Sequence, residues 1–357
     1  MAVINFGNTV SLKQAANLIL QVPENRFCLR GPPGMGKSSI LEALREQLPD
    51  HAIGYIDCGN LFDGDVGMPV VDPVKLVTNY ALNSAFNLSK DSTQPVVLMY
   101  DEFFKAPQSV QNMLHPSLER VNPRLGSISL PPGSIVFITS NLSSDGVGDK
   151  AQAHTLNRLV QLEVRQPNAV EFMDFGVSTG RIHPVIITWL KQFPQALDSY
   201  RDEGADLTYS YNPKVQQAAF VSGRSLEAAT FILNKKDNMD QDSLICALKG
   251  ACGEPFARSL EAYIAYQDQL PSWENIIKNP KSAPVPESTG ACAVLAYGAI
   301  TRITKETITP FMGYLERFEP EWQATFVINV AKNPDKQQIA FSSSAYRDWL
   351  QKNQDLL

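Results

Sequence analysis

The chain is poor in the residues that build metal centres and disulfide frameworks. Four histidines are spread along 357 residues without clustering, and the five cysteines (Cys28, Cys58, Cys246, Cys252, Cys292) are odd in number and lack ligand spacing. That sets aside a zinc site or a stapled secreted scaffold. The thiols read as free and buried in a reducing compartment, so the expected location is cytoplasmic. The N-terminus lacks a basic region followed by an apolar segment, and no signal peptide is expected. No apolar run approaches the roughly 18 residues of a membrane span. Basic charge is not in excess: a net charge of −6 and a pI of about 5.4 argue against broad electrostatic binding to nucleic acid, although a local basic patch escapes that test. There is no internal repeat and no low-complexity tract. The rest is ordinary for a soluble globular protein, 44% hydrophobic and 19% charged, with length enough for a large core and two or three domains.

Against this plain background one stretch stands out, "LRGPPGMGKSSI" at 29–40. It fits GxxxxGK[ST], with Gly31, Gly36, Lys37 and Ser38 at the fixed positions and Pro32, Pro33, Gly34 and Met35 between them. A short apolar run, "RFCLR", leads in, and a helical run, "SSILEALREQL", leads out. Strand, loop and helix form the context in which the motif means a phosphate cradle. Glycines let the backbone curl so that successive N–H groups point at phosphate oxygens, and the helix start adds its positive end. Lys37 then reaches the β- and γ-phosphates, and the Ser38 hydroxyl, followed by Ser39, is placed for Mg²⁺. A phosphate loop alone does not separate kinases, GTPases and ATPases.

Residues 1 to about 165 alternate short apolar runs with helical patterns. The strand candidates are "RFCLR", "AIGYIDC", "PVVLMY", "GSIVFITS" and "LVQLEV". Several are apolar on both faces, as strands of a buried parallel sheet are, and alternation with helices implies βαβ units in an α/β sandwich. Beyond about 170 the strand pattern fades into amphipathic helices such as "HPVIITWLKQF", "GRSLEAATFILNK" and "EWQATFVINVAK". The Pro- and Ser-rich "KNPKSAPVPESTG" reads as a linker or an extended strap.

Two strand ends complete the site. "PVVLMYDEFFKAP" closes an apolar strand with Asp101 and Glu102, which places both carboxylates at the carboxyl edge of the sheet, where open α/β sheets bind ligands. One acid can hold Mg²⁺ through its water shell, and the next can take a proton from an attacking water. An acidic helix start is the plain alternative. "GSIVFITSN" ends at Asn141, whose amide at the same edge can hold the lytic water, unless it only begins a turn.

Phosphate loop, "DE" and "TSN" in this order resemble the AAA+ ATPases, and further stretches resemble the MoxR-like branch. These are "GDVGMPVVDP", "DEFFKAPQSVQNMLHPSLER", "HTLNRLVQLEV", then "IHPVIITWL", "SGRSLEAATFIL" and "GEPFARSLEAYIAY" in the helical lid, and "NPKSAPVPE", "YLERFEPEWQATFV" and "YRDWLQKN" in the tail. The resemblance implies a P-loop αβα sandwich with a parallel five-stranded sheet over 1–167, an α-helical lid over 168–277, a linker over 278–290 and a helical extension over 291–357. It implies ATP hydrolysis with Mg²⁺, with Lys37 and Ser38 on phosphates and metal, Asp101 in the metal's shell and Glu102 activating water. Asn141 matches the sensor 1 position, Arg158 the arginine finger that acts on the neighbouring subunit's ATP, and Arg224 the sensor 2 arginine. Planar cationic donors suit a transferring phosphoryl group whatever the family name. For Arg158 a surface ion pair is the alternative, and for Arg224 a helix-start arginine. The resemblance further implies a hexameric ring that remodels a protein partner, often one with a von Willebrand factor A domain.

Two departures are visible. Pro116 interrupts what is often a continuous helix, and the finger's usual Asp-Arg-Phe is Asn157-Arg158-Leu159, without the accompanying acid. Residues 60–73 lie where this branch carries its helix 2 insert and pore elements, and 119–133 reads as a hairpin. His115, His183, Phe103 and Phe104 read as structural. Two rival classes stay open, an ATP-binding regulatory scaffold with little turnover and a DNA-directed motor. A small-molecule kinase is set aside because it needs no sensor set.

Overall fold

The computed structural model describes residues 9–32, 34–141 and 152–356. The chain forms two compact units, Met1–Gln166 and Pro167–Leu357. In the first, the strands are β1 Phe27–Arg30, β2 Ala52–Asp57, β3 Gly67–Asp72, β4 Val77–Leu82, β5 Val96–Asp101, β6 Arg124–Leu125, β7 Ile128–Ser129, β8 Ile135–Ser140 and β9 Val160–Glu163. The helices are α1 Leu12–Gln21, α2 Ser39–Gln47, α3 Asp63–Val66, α4 Gln108–Leu114 and α5 Ala153–Leu156. Five strands pair in parallel in the order β2-β5-β8-β1-β9. This is the α/β sandwich with a parallel five-stranded sheet that the alternation of strands and helices implies.

The sheet is filled from both faces because its central strands are buried along nearly their whole length and apolar up to their polar carboxyl ends. Along β5, Leu98 and Tyr100 enter one core with Phe103, Val110 and Leu114, while Val97 and Met99 enter the other with Ile19 of α1 and Leu44 of α2. Successive side chains point to opposite faces of a strand, so β5 serves two layers at once. Truncating the fully buried Met99 to alanine would cost about 2–5 kcal/mol. β2 is an edge strand, and there the pattern alternates, leaving Tyr55 45% exposed.

Pro116 acts as its chemistry requires. Proline cannot continue the α-helical ladder, so α4 stops at Leu114 and a 3-10 turn, His115–Leu118, carries the chain on to Glu119. The segment after β2 folds into α3 and an antiparallel ribbon of β3 and β4. Val70, Val71, Val74 and Leu76 of this ribbon are exposed, an unusual concentration of apolar surface. β6 and β7 form the hairpin read in the sequence, and its turn touches the ribbon: a Cβ on Gly126 would lie 2.9 Å from Cβ of Tyr80.

The second unit is helical. It contains α6 Ala169–Thr179, α7 Pro184–Gln192, α8 Gly223–Leu233, α9 Gln241–Cys252, α10 Glu254–Gln269, α11 Trp273–Lys278, α12 Thr289–Arg302, α13 Ile308–Leu315, α14 Pro320–Lys332, α15 Pro334–Ser342 and α16 Ser344–Lys352. One core runs from Ala169 to Trp349. The segment between α11 and α12 is a strap across that core: Ala283 is buried, Arg317 Nη1 donates to the carbonyls of Pro280 and Ala283 at 3.0 and 2.7 Å, and Tyr314 Oη donates to that of Pro284 at 2.5 Å. All five cysteines are free, but Cys246 is exposed while the other four are buried as read. It occupies a solvent-facing turn of α9, which the scatter of cysteines along the sequence does not reveal. Among the described residues, no helix is long and apolar enough to cross a membrane.

Candidate functional site

β1, β8 and β5 are neighbours in the sheet, and each ends in a candidate residue. Parallel register sets Arg30 beside Ser140, so Gly31 and Asn141 leave the sheet at the same level, and Gly31 N–H donates to Ser140 O at 3.3 Å. Gly31 has no room for a side chain, since a Cβ there would lie 2.7 Å from Val164 O and nearer still to Met35 Sδ. Gly34 and Gly36 have φ of +75° and +93°, in the left-handed region that glycine enters without a Cβ clash. Met35 is buried in the core under the loop. Pro33 lies outside the described residues. Ser38 opens α2 with helical dihedrals and makes no capping bond, while Ser39 Oγ donates to Gly36 O at 2.7 Å.

Lys37 is only 8% exposed. Its ammonium donates to Gly31 O at 2.7 Å, Pro32 O at 3.0 Å and Asn141 Oδ1 at 3.2 Å. Asn141 Nδ2 in turn donates to Glu102 Oε1 at 3.1 Å. An ammonium only donates and a carboxylate only accepts, so the amide is oriented by its two neighbours. Lys37, read from the glycine-rich motif, and Asn141 and Glu102, read from two strand ends, therefore form one continuous chain of hydrogen bonds.

Glu102 adopts φ 53°, ψ 39°, a left-handed conformation that is rare for a residue with a Cβ. The turn is fixed by its N–H donating to Thr139 Oγ1 at 3.1 Å. Thr139 Oγ1 donates to Asp101 Oδ1, and Tyr55 Oη donates to Asp101 Oδ2 at 2.7 Å. Lys105 Nζ lies 2.6 Å from Glu102 Oε2. Desolvation, then the hydrogen bond to Asp101, pushes the Tyr55 phenol well above its ordinary range, and burial beside Asp101 and Asp57 does the same to the Cys58 thiol. Both keep their protons at neutral pH, so Tyr55 serves as a donor and Cys58 is no nucleophile. Sequence reasoning passed over Tyr55, Thr139 and Lys105. The signals were the exposed alternation of β2, the threonine inside "TSN", and the lysine three residues after Glu102.

The two arginines lie elsewhere. Arg158 follows α5 and comes two residues before β9, whose first residue pairs with the first of β1. It therefore sits at the amino edge of the sheet, while the glycine-rich loop that begins at Gly31 leaves the carboxyl edge. Four strand residues separate these levels, roughly 13 Å of rise. There Arg158 Nε donates to Glu119 Oε1 at 2.9 Å and Nη1 to His154 O at 2.7 Å, so the ion pair expected as the alternative is present. Arg224 lies in the first turn of α8, exposed, in the second unit. A cation there opposes the helix dipole, and it has no partner among the described residues.

No protein-family model and no curated protein matches the chain. Among solved structures, it is similar to NtrX from Brucella abortus in complex with ADP, at 13% identity and a TM-score of 0.34, over 97% of this chain and 67% of that one. It is also similar to a protein of Cytophaga hutchinsonii described as a candidate ATPase, at 12% identity and a TM-score of 0.30, over 69% and 82%. Likeness this faint decides neither family nor activity.

Proposed function

We propose that the chain is a MoxR-like AAA+ ATPase that hydrolyses ATP in a ring, a hexamer, and uses the cycle to remodel a protein partner. The observation that carries the reading is the hydrogen-bonded chain from Lys37 through Asn141 to Glu102 at the carboxyl edge of three adjacent parallel strands. The cradle from Gly31 to Ser39 fits phosphates: two glycines in left-handed conformations curl it, and a buried ammonium stands at its mouth. Lys37 exchanges loop carbonyls for phosphate oxygens. Ser38, with no capping bond, and Asp101, which accepts two O–H bonds and keeps further lone pairs, would hold Mg²⁺, whose chemistry is to neutralise charge on the phosphates. Glu102 takes the proton of the attacking water, and Asn141 orients that water. Arg158 serves the ATP of a neighbouring copy, and Arg224 moves with the lid. The exposed β3–β4 ribbon engages the client, which in this reading carries a von Willebrand A domain.

Steady-state phosphate release tests the reading. Glu102→Gln is expected to bind ATP and hydrolyse it about 10²-fold or more slowly. An equally active Glu102→Gln protein would remove Glu102 from its role. Light scattering with a slowly hydrolysed ATP analogue should show assembly, and a monomer at micromolar concentration would sink the ring. The Lys105–Glu102 ion pair favours a second reading, an ATP-binding scaffold in which the base is held and turnover is scarce. ATP binding and assembly without phosphate release would select it.

A further inference from the structure

The sequence places Asn157 beside Arg158, where an acid would accompany a finger arginine. The fold brings an acid from 39 residues away. Glu119 follows the 3-10 turn that Pro116 imposes, and its backbone is held on both sides. Its N–H donates to Pro116 O at 3.4 Å, and its carbonyl accepts from Nη2 of Arg26, a buried arginine at the entry to β1, at 3.4 Å. Ser117 and Leu118, just before it, are buried. From this platform the Glu119 carboxylate takes Arg158 Nε–H, while the carbonyl of His154, in α5, takes Nη1–H. Two bonds on one planar group fix its plane, and neither uses Nη2. Arg158 and Glu119 are only 35% and 42% exposed.

We propose that Glu119 is the positioning residue of Arg158. It orders the guanidinium at the amino edge before a neighbouring copy arrives, so that Nη2 and the second Nη1–H are available to that copy's ATP phosphates. The inference rests on the reading of Arg158 as a finger acting in trans. An arginine side chain has wide rotamer freedom, and ordering it in advance lowers what docking must supply. Glu119 thus replaces, from across the fold, the acid missing beside Arg158. An ordinary surface ion pair would leave turnover unmoved.

The test mixes full-length subunits. Arg158→Ala is first mixed with Lys37→Ala. Recovered hydrolysis establishes action in trans. No recovery, in mixed rings verified by mass, removes the finger reading and this proposal with it. With recovery in hand, Glu119→Ala decides. Its rings should bind ATP and assemble as wild type but turn over roughly 10- to 100-fold more slowly, the usual effect of misplacing a reacting group. Mixing with Lys37→Ala should restore activity as it does for Arg158→Ala, and Glu119→Ala should add nothing in an Arg158→Ala background. Glu119→Gln, which retains an acceptor oxygen, should stay within about threefold of wild type, since the bond survives without its charge. Glu119→Asp withdraws the carboxylate by one methylene and should lose activity as alanine does. It stands in if the alanine variant does not assemble. Wild-type turnover in Glu119→Ala or Glu119→Asp, or losses that add to Arg158→Ala, would overturn the assignment while leaving the trans finger standing.

Discussion

The two edges of the one sheet are built on opposite plans. At the carboxyl edge three of the polar groups are buried, Thr139 fully, Asn141 at 6% exposure and Lys37 at 8%, and Glu102 joins them: its N–H donates to Thr139, its carboxylate accepts from Asn141, and Asn141 accepts from Lys37. At the amino edge a part-exposed ion pair, Arg158 with Glu119, stands over a buried turn. A buried network is rigid and costly to break, because every lost partner leaves a desolvated group. An exposed pair is cheap and can change partners. That contrast matches the roles proposed for the two edges, chemistry within one chain at the first and contact with a neighbouring copy at the second.

The largest effect that would break this comparison is expected at the first edge. Lys37→Ala should abolish measurable nucleotide binding, read by titration with a fluorescent ATP analogue. Retained binding would mean that the loop alone holds phosphates. The next is expected at the second edge. Arg158→Ala should bind ATP as wild type and lose roughly 10³-fold in ring hydrolysis, the scale of finger arginines elsewhere. A loss of ATP affinity in that variant would erase the distinction between the edges.

Thr139→Val sharpens it further. The swap keeps the shape, removes the donor to Asp101 and the acceptor for Glu102 N–H, and should lower stability by about 1–3 kcal/mol in urea unfolding. Glu119→Ala should cost under about 1 kcal/mol by the same measurement. Equal costs would refute the contrast.

The smallest effect concerns His115. Burial first, then Arg158 and His154, hold its pKa below the ordinary value of 6.5, against a smaller opposing pull from Glu119. The folded chain therefore takes up this proton at lower pH than the unfolded chain. Its neutral form contributes stability above pH 6.5, and that contribution fades as the pH falls through the folded value. Arg158→Ala should raise the His115 pKa toward 6.5 in an NMR titration. An unchanged value would mean that the guanidinium does not act on the ring.

Much of the first edge is legible because its acids and amide end strands, and a strand end is a position that an apolar run announces. Asp101, Glu102 and Asn141 are found this way, and Lys37 by the fixed spacing of the glycine-rich motif. Thr139, Tyr55 and Lys105 are not, because they touch those residues only after register and strand order are set, and neither is written locally. Glu119 was harder still: nothing within 38 residues of Arg158 names it as a partner, and the turn that delivers it follows from Pro116. The helices of the second unit were legible by period. That one core runs beneath the Pro-rich strap was not, since proline and serine mark an irregular backbone without saying what covers it.

Glu102 sits at φ 53°, a conformation that costs a residue with a Cβ on the order of 1–2 kcal/mol and glycine almost nothing. With Glu102 as the base proposed above, thermal tolerance and turnover pull in opposite directions at this position. A library selected only for survival on heating should drift toward glycine or asparagine at 102, and its hardiest members should be those that no longer turn over.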